Sequence, residues 1–166
     1  MEIENILQEH GDYLVKVAFL YVKNHATAED IVQDVFIAFY EKQEQFQRRS
    51  SLRTYLVKMT VNRCYDYLKS WRYKRFILVE KIKNKVFVES PEQLLLHREA
   101  SGELLQALFT LPIYYREILI LYYFEEMTTV EIAAFLNCSE STVRTRLRRA
   151  RTQLAELGEW ELSDYE

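Results

Sequence analysis

Between Thr128 and Leu154 the chain spells out two short helices and the turn that joins them. Thr128 and Glu131 stand three residues apart just ahead of Ile132, Ala133, Phe135 and Leu136, the T-x-x-E spacing with which a helix satisfies its first N–H groups. Asn137-Cys138 ends that run; asparagine tolerates the left-handed conformation of a tight turn, and Ser139 is placed to cap the next helix. In the second helix Val143, Leu147, Ala150 and Leu154 recur at steps of 4, 3 and 4 and must face a core. Arg144, Thr145, Arg148, Arg149 and Arg151 then face out. Two short helices with small Ala133 at their closest approach make a helix-turn-helix. The second helix of such a unit enters the DNA major groove, where arginine bonds guanine O6 and N7 and backbone phosphates.

The rest of the chain is consistent with a helical frame. Three Gly and two Pro in 166 residues are too few turn formers for a sandwich or barrel of short strands, while 49% apolar and 14% aromatic residues suffice to bury a core and argue against disorder. The predicted fold class is all-α: two small helical domains joined by a linker, the second containing the helix-turn-helix. The expected boundaries are residues 1–75 and 93–158, with a linker over 76–92 and an acidic tail over 159–166. Cys64 and Cys138 are far apart and outside any CxxC pattern, so neither a disulfide framework nor a metal site is indicated. No basic leader and no apolar run near the roughly 20 residues of a membrane span is visible. A cytoplasmic location is the expectation.

Periodicity predicts a first helix from about Ile6 to Lys23 with Leu7, Leu14, Val17, Ala18 and Tyr21 on its apolar face. Thr27, three residues ahead of Asp30, reads as the cap of a second helix running to about Phe46. Ile31, Val32, Val35, Phe36 and Phe39 form the apolar face of that helix, and Asp30, Gln33, Asp34, Ile37 and Glu41 form an opposite acidic stripe with one bare aliphatic. Ser51 is set to cap a third helix, from Leu52 to about Arg72 or beyond, with Leu56, Thr60, Cys64, Tyr67, Leu68 and Trp71 inward. Lys58, Asn62, Asp66 and Lys69 fall on its other side with Tyr55, Tyr65 and Tyr73. A helix over 93–109 is expected next, then another opened by Leu111-Pro112, since proline is tolerated in a first turn.

Net charge alone argues against a nucleic-acid partner: 22 basic against 25 acidic residues leave −3. Its distribution argues the opposite. Residues 48–85 carry 12 basic and 2 acidic groups, and residues 141–151 carry five arginines and no acid. Acidic stretches on either side hide both blocks in the total. With a Debye length of about 8 Å at physiological salt, each block acts locally.

In these segments the chain resembles a bacterial RNA polymerase sigma factor of the extracytoplasmic-function (ECF) group, sigma-70 family. Ala28-Glu29-Asp30-Ile31-Val32-Gln33-Asp34-Val35-Phe36 is similar to that family's A-E-D-x-V-Q-[DE]-x-F segment. Leu52 to Leu56 and Asn62 to Leu68 resemble the helix after it. Leu111-Pro112-x-x-x-Arg116, Glu131-Ile132-Ala133 and Ser141 to Arg151 resemble its fourth conserved region. The resemblance implies a subunit that binds core RNA polymerase and promoter DNA, needs no cofactor and has no small-molecule substrate. Asp30, Gln33, Asp34 and Ile37 would dock the polymerase clamp. Asn62 and Asp66 would capture a flipped minus-10 base, with Tyr55 as a stacking wall and Lys58, Arg63 and Lys69 on phosphates. Arg144, Thr145, Arg148, Arg149 and Arg151 would read the minus-35 element. It also implies control by an anti-sigma factor, often membrane-bound, and a role in stress response. Tyr55 stands where the family usually has Trp, and Asn137 where Gly is common.

Two other readings compete. A stand-alone helix-turn-helix regulator would bind duplex DNA unaided, but it usually needs a dimer interface, and residues 1–75 offer no heptad to supply one. A helical scaffold without nucleic-acid contact would tolerate loss of the 141–151 arginines. An enzyme is disfavoured: His10, His25 and His97 are scattered, and neither a Gly-rich phosphate loop nor a paired-carboxylate site is present.

Overall fold

The structure, a computed structural model, describes residues 3–46, 49–70, 74, 78 and 101–158. The chain divides into two compact units, Met1–Glu89 and Ser90–Glu166. The fold is all-α, and no strand occurs among the described residues.

In the first unit α1 (Ile3–Val22), α2 (His25–Lys42) and α3 (Leu52–Lys69) all pack on one another. Because α1 meets both partners, it is buried on more than one face: Phe19 and Val22 join Leu14, Val17, Ala18 and Tyr21 inside. Leu7, expected inside, is 41% exposed, and Ile6 is buried instead. Leu7 has the right phase but lies near the start of a helix that begins at Ile3, earlier than periodicity suggested.

The α1–α2 junction also differs from expectation. Lys23 takes a left-handed φ of 62°, and its N–H donates to the Phe19 carbonyl at 2.8 Å. Extended Asn24 comes directly after it and caps α2, its side chain accepting from the Thr27 N–H at 2.8 Å. Thr27 is therefore the capped residue and not the cap. All five residues assigned to the inner face of α2 are buried. The α-helix ends at Lys42 and tightens into a 3-10 turn, Gln43–Gln45, which brings the Phe46 ring to 4.9 Å from Tyr55 and 6.5 Å from Phe39.

Ser51 caps α3 as expected, accepting from the Thr54 N–H. Leu56, Thr60 and Cys64 are buried, and Val57 and Val61 join them because α3 packs against two helices and buries a wider arc. Thr60 satisfies its hydroxyl on the Leu56 carbonyl, 2.9 Å away. Tyr67 and Leu68 are only half-buried. The helix stops at Lys69, short of Arg72, because Ser70 turns extended and donates its N–H to the Tyr67 carbonyl. Trp71, Arg72 and Tyr73 lie outside the described residues. So do the tail 159–166 and the linker 76–92, apart from Leu78, which is exposed.

In the second unit, the described residues give α4 (Ser101–Thr110), α5 (Ile113–Leu119) running into a π-helical turn (Ile120–Phe124), α6 (Thr129–Leu136) and α7 (Glu140–Leu157). The part of the expected 93–109 helix before Ser101 lies outside the described residues. Pro112 serves as the N-cap of α5, its carbonyl accepting from the N–H groups of Tyr115 and Arg116 at 3.0 Å. Arg116 is itself buried, with Nη1 donating to the Leu111 carbonyl at 3.2 Å and the guanidinium 5.9 Å over the Phe109 ring. The π-turn closes with the Glu125 N–H on the Ile120 carbonyl, and left-handed Glu126 (φ 54°) redirects the chain into α6. Helix α7 packs against α4, α5 and α6, and each buried Leu or Val of that core contributes about 1.5–3 kcal/mol.

No helix of the described residues is long and apolar enough to cross a membrane. Among them no His, Cys, Asp and Glu group could hold a metal ion. Both cysteines are free thiols, Cys64 buried and Cys138 partly so.

Candidate nucleic-acid and partner interfaces

The helix-turn-helix takes the form its residues dictate. Thr128 and Glu131 make a complete capping box: the Glu131 N–H donates to the Thr128 hydroxyl at 3.2 Å, and the Thr128 N–H donates to the Glu131 carboxylate at 2.8 Å. That backbone bond, and then the bond from the Thr128 hydroxyl, hold the Glu131 carboxyl below its ordinary range. Asn137 ends α6 in the left-handed region (φ 53°, ψ 51°), its N–H donating to the Ala133 carbonyl. Ser139 caps α7 through the Thr142 N–H at 3.2 Å. Val143, Leu147, Ala150 and Leu154 are all buried, which leaves Arg144, Thr145, Arg148 and Arg149 exposed along the opposite side.

Arg151 departs from the outward set. It is half-buried, its Nε donating to the Tyr123 hydroxyl at 2.8 Å and its guanidinium lying 5.3 Å from the Tyr122 ring and 5.6 Å from that of Tyr123. Helical phase puts it under Arg144, but the π-turn carries two tyrosines to that end of α7. Tyr122, Tyr123, Met127, Arg144, Arg148 and Arg151 line one open groove of about 990 Å³.

On α3, Asn62, Arg63, Asp66 and Lys69 are exposed and Lys58 is half-buried. Asn62 and Asp66 are one turn apart, so an amide and a carboxylate stand on the same face with cations around them. The tyrosines expected beside them are built into the packing. The Tyr55 ring is 4.9 Å from Phe46 and 6.2 Å from Phe39, and Tyr65 meets Tyr21 edge-on at 6.1 Å while Lys69 Nζ lies 5.8 Å from its ring centroid. Both are half-buried. Tyr55 therefore presents part of a fixed ring and not a free side chain. Tyr73 lies outside the described residues.

On α2, Asp30, Gln33, Asp34, Ile37 and Glu41 are all exposed, and Ile37 is 59% accessible. Tyr40, which sequence reasoning passed over, is equally exposed at 59%; its place three residues after Ile37 was signal enough to find it. The surface is thus an aliphatic and an aromatic side chain framed by carboxylates.

Sequence reasoning also missed Glu140. Its carboxylate Oε1 accepts from Arg144 Nε at 3.0 Å and Nη2 at 2.7 Å, and from the Thr129 hydroxyl at 2.7 Å. The Thr129 bond first, then Arg144, lower its pKa. The i,i+4 spacing hinted at the arginine pair; nothing in the sequence hinted at Thr129. Arg53 likewise bonds the Tyr13 hydroxyl with its guanidinium 4.1 Å over the same ring, tying the start of α3 to α1.

Comparison with known proteins agrees with this geometry. The Sigma-70 region 2 family model matches residues 6–73, and that for Sigma-70, region 4 matches residues 101–154. The RNA polymerase sigma factor YlaC of Bacillus subtilis (strain 168) is 30% identical over 156 residues, covering 92% of this chain and 89% of its own. The ECF RNA polymerase sigma factor SigW of the same organism is 25% identical over 159 residues, covering 90% and 85%. Among solved structures, the sigma factor RpoE in complex with the anti-sigma factor NepR from Bartonella quintana superposes with a TM-score of 0.70 at 25% identity, covering 93% of this chain and 94% of that one. With both conserved regions matched in order on two all-α units, and relatives aligned along most of their length, this chain belongs to the sigma-70 family as an ECF RNA polymerase sigma factor.

Proposed function

We propose that this sigma factor binds core RNA polymerase through α2, reads minus-35 DNA with α7 and helps open the minus-10 element with α3. The observation that carries this reading is α7 itself: Val143, Leu147, Ala150 and Leu154 are turned inward, and Arg144, Thr145, Arg148 and Arg149 are left exposed on the second helix of a helix-turn-helix. Arginine suits guanine O6 and N7, and threonine suits a thymine methyl or a hydrogen bond. Arg151, gripped by two tyrosines, is better suited to a fixed phosphate contact than to base reading.

On α3, Asn62 and Asp66 offer hydrogen bonds to the edge of an extruded base, with Tyr55 as a part-exposed ring beside the site and Lys58, Arg63 and Lys69 for the phosphates of the opened strand. On α2, Asp30, Gln33, Asp34 and Ile37, with Tyr40, form the polymerase surface, an apolar centre within a charged rim. The chain acts in the cytoplasm as a specificity subunit that supplies contacts and no catalytic group. An anti-sigma partner, of the kind that the RpoE structure contains, would cover the same apolar centre.

Genome-wide run-off transcription tests the reading. Core polymerase with this protein should start at promoters that core alone ignores, and if no promoter responds the reading is wrong. Arg149→Ala should weaken minus-35 dependence by about 1–3 kcal/mol per lost base contact, whereas Asn62→Ala should slow opening while leaving duplex binding intact.

A further inference from the structure

Glu140 sits where its own helix favours an acid and a DNA partner does not. It stands in the first turn of α7, on the helix assigned to DNA, where a carboxylate repels phosphate. A surface glutamate paired with an arginine four residues on is ordinarily weak, because both side chains float. This one does not float. The Thr129 hydroxyl, which opens α6, donates to the same Oε1 that receives Arg144 Nε and Nη2. One oxygen therefore ties the two helices of the motif and the arginine together, while Arg144 remains 70% exposed.

The consequence lies in which edge of the guanidinium is left. A guanidinium has five N–H groups in a planar fork. Glu140 occupies the Nε–Nη2 edge, so the terminal edge, with one Nη1 hydrogen and the second Nη2 hydrogen, points away from the carboxylate. That edge is a bidentate match for guanine O6 and N7. A free arginine must lose its rotamer entropy on binding, and it is equally satisfied by any phosphate within reach. A clamped one has lost much of that freedom beforehand, and its neighbouring negative charge opposes a phosphate alternative.

We propose that Glu140, braced by Thr129, is a positioning residue that sets the sequence selectivity of Arg144, trading non-specific attraction to DNA for base discrimination. The proposal rests on the assignment of Arg144 to base reading. It is distinct from a role for Glu140 as a reader in its own right, in which its carboxylate would accept from cytosine N4.

The test uses the holoenzyme of core polymerase and the full chain, with labelled promoters carrying each of the four bases in turn along the minus-35 element, beside an unrelated duplex as non-specific control. Glu140→Ala is expected to lower discrimination at the position Arg144 reads by about three- to tenfold, part of what a bidentate contact supplies, and to tighten binding of the unrelated duplex. Thr129→Val leaves net charge unchanged and should lower discrimination in the same direction by a smaller factor. Glu140→Gln keeps the side chain's size and an acceptor oxygen but loses the charge, so it should lower discrimination in the same direction by a smaller factor than Glu140→Ala; thermal melts establish that each variant is folded. In an Arg144→Ala background, Glu140→Ala should change base preference no further. Unchanged discrimination in Glu140→Gln and Thr129→Val overturns the proposal, as does an undiminished effect of Glu140→Ala in the Arg144→Ala background, which makes Glu140 the reader. Arg144→Ala with unaltered base preference instead removes the underlying assignment, so the two failures are told apart.

Discussion

Glu126 and Asn137 sit in the same left-handed region, at φ 54° and 53°, for different local reasons. Asn137 ends a helix two residues before the capping Ser139, and its short polar side chain lowers the cost of that conformation. Its role could be read from the residue type. Glutamate carries no such allowance, and nothing in the sequence marks Glu126 as the residue that turns the chain out of the π-helical turn. Glu126→Gly should therefore stabilise the second unit by about 0.5–1 kcal/mol, the relief of the left-handed strain less the entropy of an added glycine. A thermal melt should rise by a few degrees, and a fall would show that Glu126 makes contacts worth more than the strain. Arg144 and Arg151 differ for a related reason. They share a helical phase, yet one is exposed and paired with Glu140 of its own helix while the other is folded against Tyr122 and Tyr123, because the tyrosines of the π-helical turn reach Arg151.

At the level of elements, periodicity located the helices and their inner faces well. The five inner residues of α2 and the four of α7 are all buried, since an apolar stripe at helical spacing has only one way to leave water. Ends and widths were less legible. Asn24, not Thr27, caps α2 because Lys23 ends α1 in a left-handed turn and leaves no longer loop. Helices α1 and α3 each bury residues outside the stripe expected of them, Phe19 and Val22 in one and Val57 and Val61 in the other, which a single-helix pattern does not announce. The outer stripe of α2 gives a prediction at this scale. Ile37→Ala and Tyr40→Ala should each weaken binding to core polymerase by about tenfold, in the range of a truncated interface anchor, while leaving the melting temperature within about 1 °C because both side chains are already largely exposed. Titration of labelled protein with core polymerase, paired with thermal melts, checks both halves. Loss of affinity confined to variants that also melt early would return the stripe to a structural role.

For the whole molecule, the net charge of −3 is a poor guide and its segregation a good one. The basic residues 48–85 and 141–151 fall in different compact units, so each can meet its own stretch of polyanion while the acidic stripe of α2 meets another partner. Arg63→Ala and Lys69→Ala should each reduce the slope of log K against log salt by about 0.7–0.9 for promoter binding by the holoenzyme, without altering base preference. Binding measured across a salt series checks this, and an unchanged slope would mean that these cations face solvent in the complex. By itself the sequence determined the all-α class, the inner faces of α2 and α7, the helix-turn-helix with its capping box and left-handed asparagine, and the family. These depend on spacing within a dozen or so residues, where the chain's own geometry sets which side chains are neighbours. The tertiary structure alone decided that Tyr55 is wedged among Phe39 and Phe46, that Arg151 is held by the π-turn and that Thr129 braces Glu140 against Arg144. Each of those joins side chains from different elements, and only packing determines which elements meet.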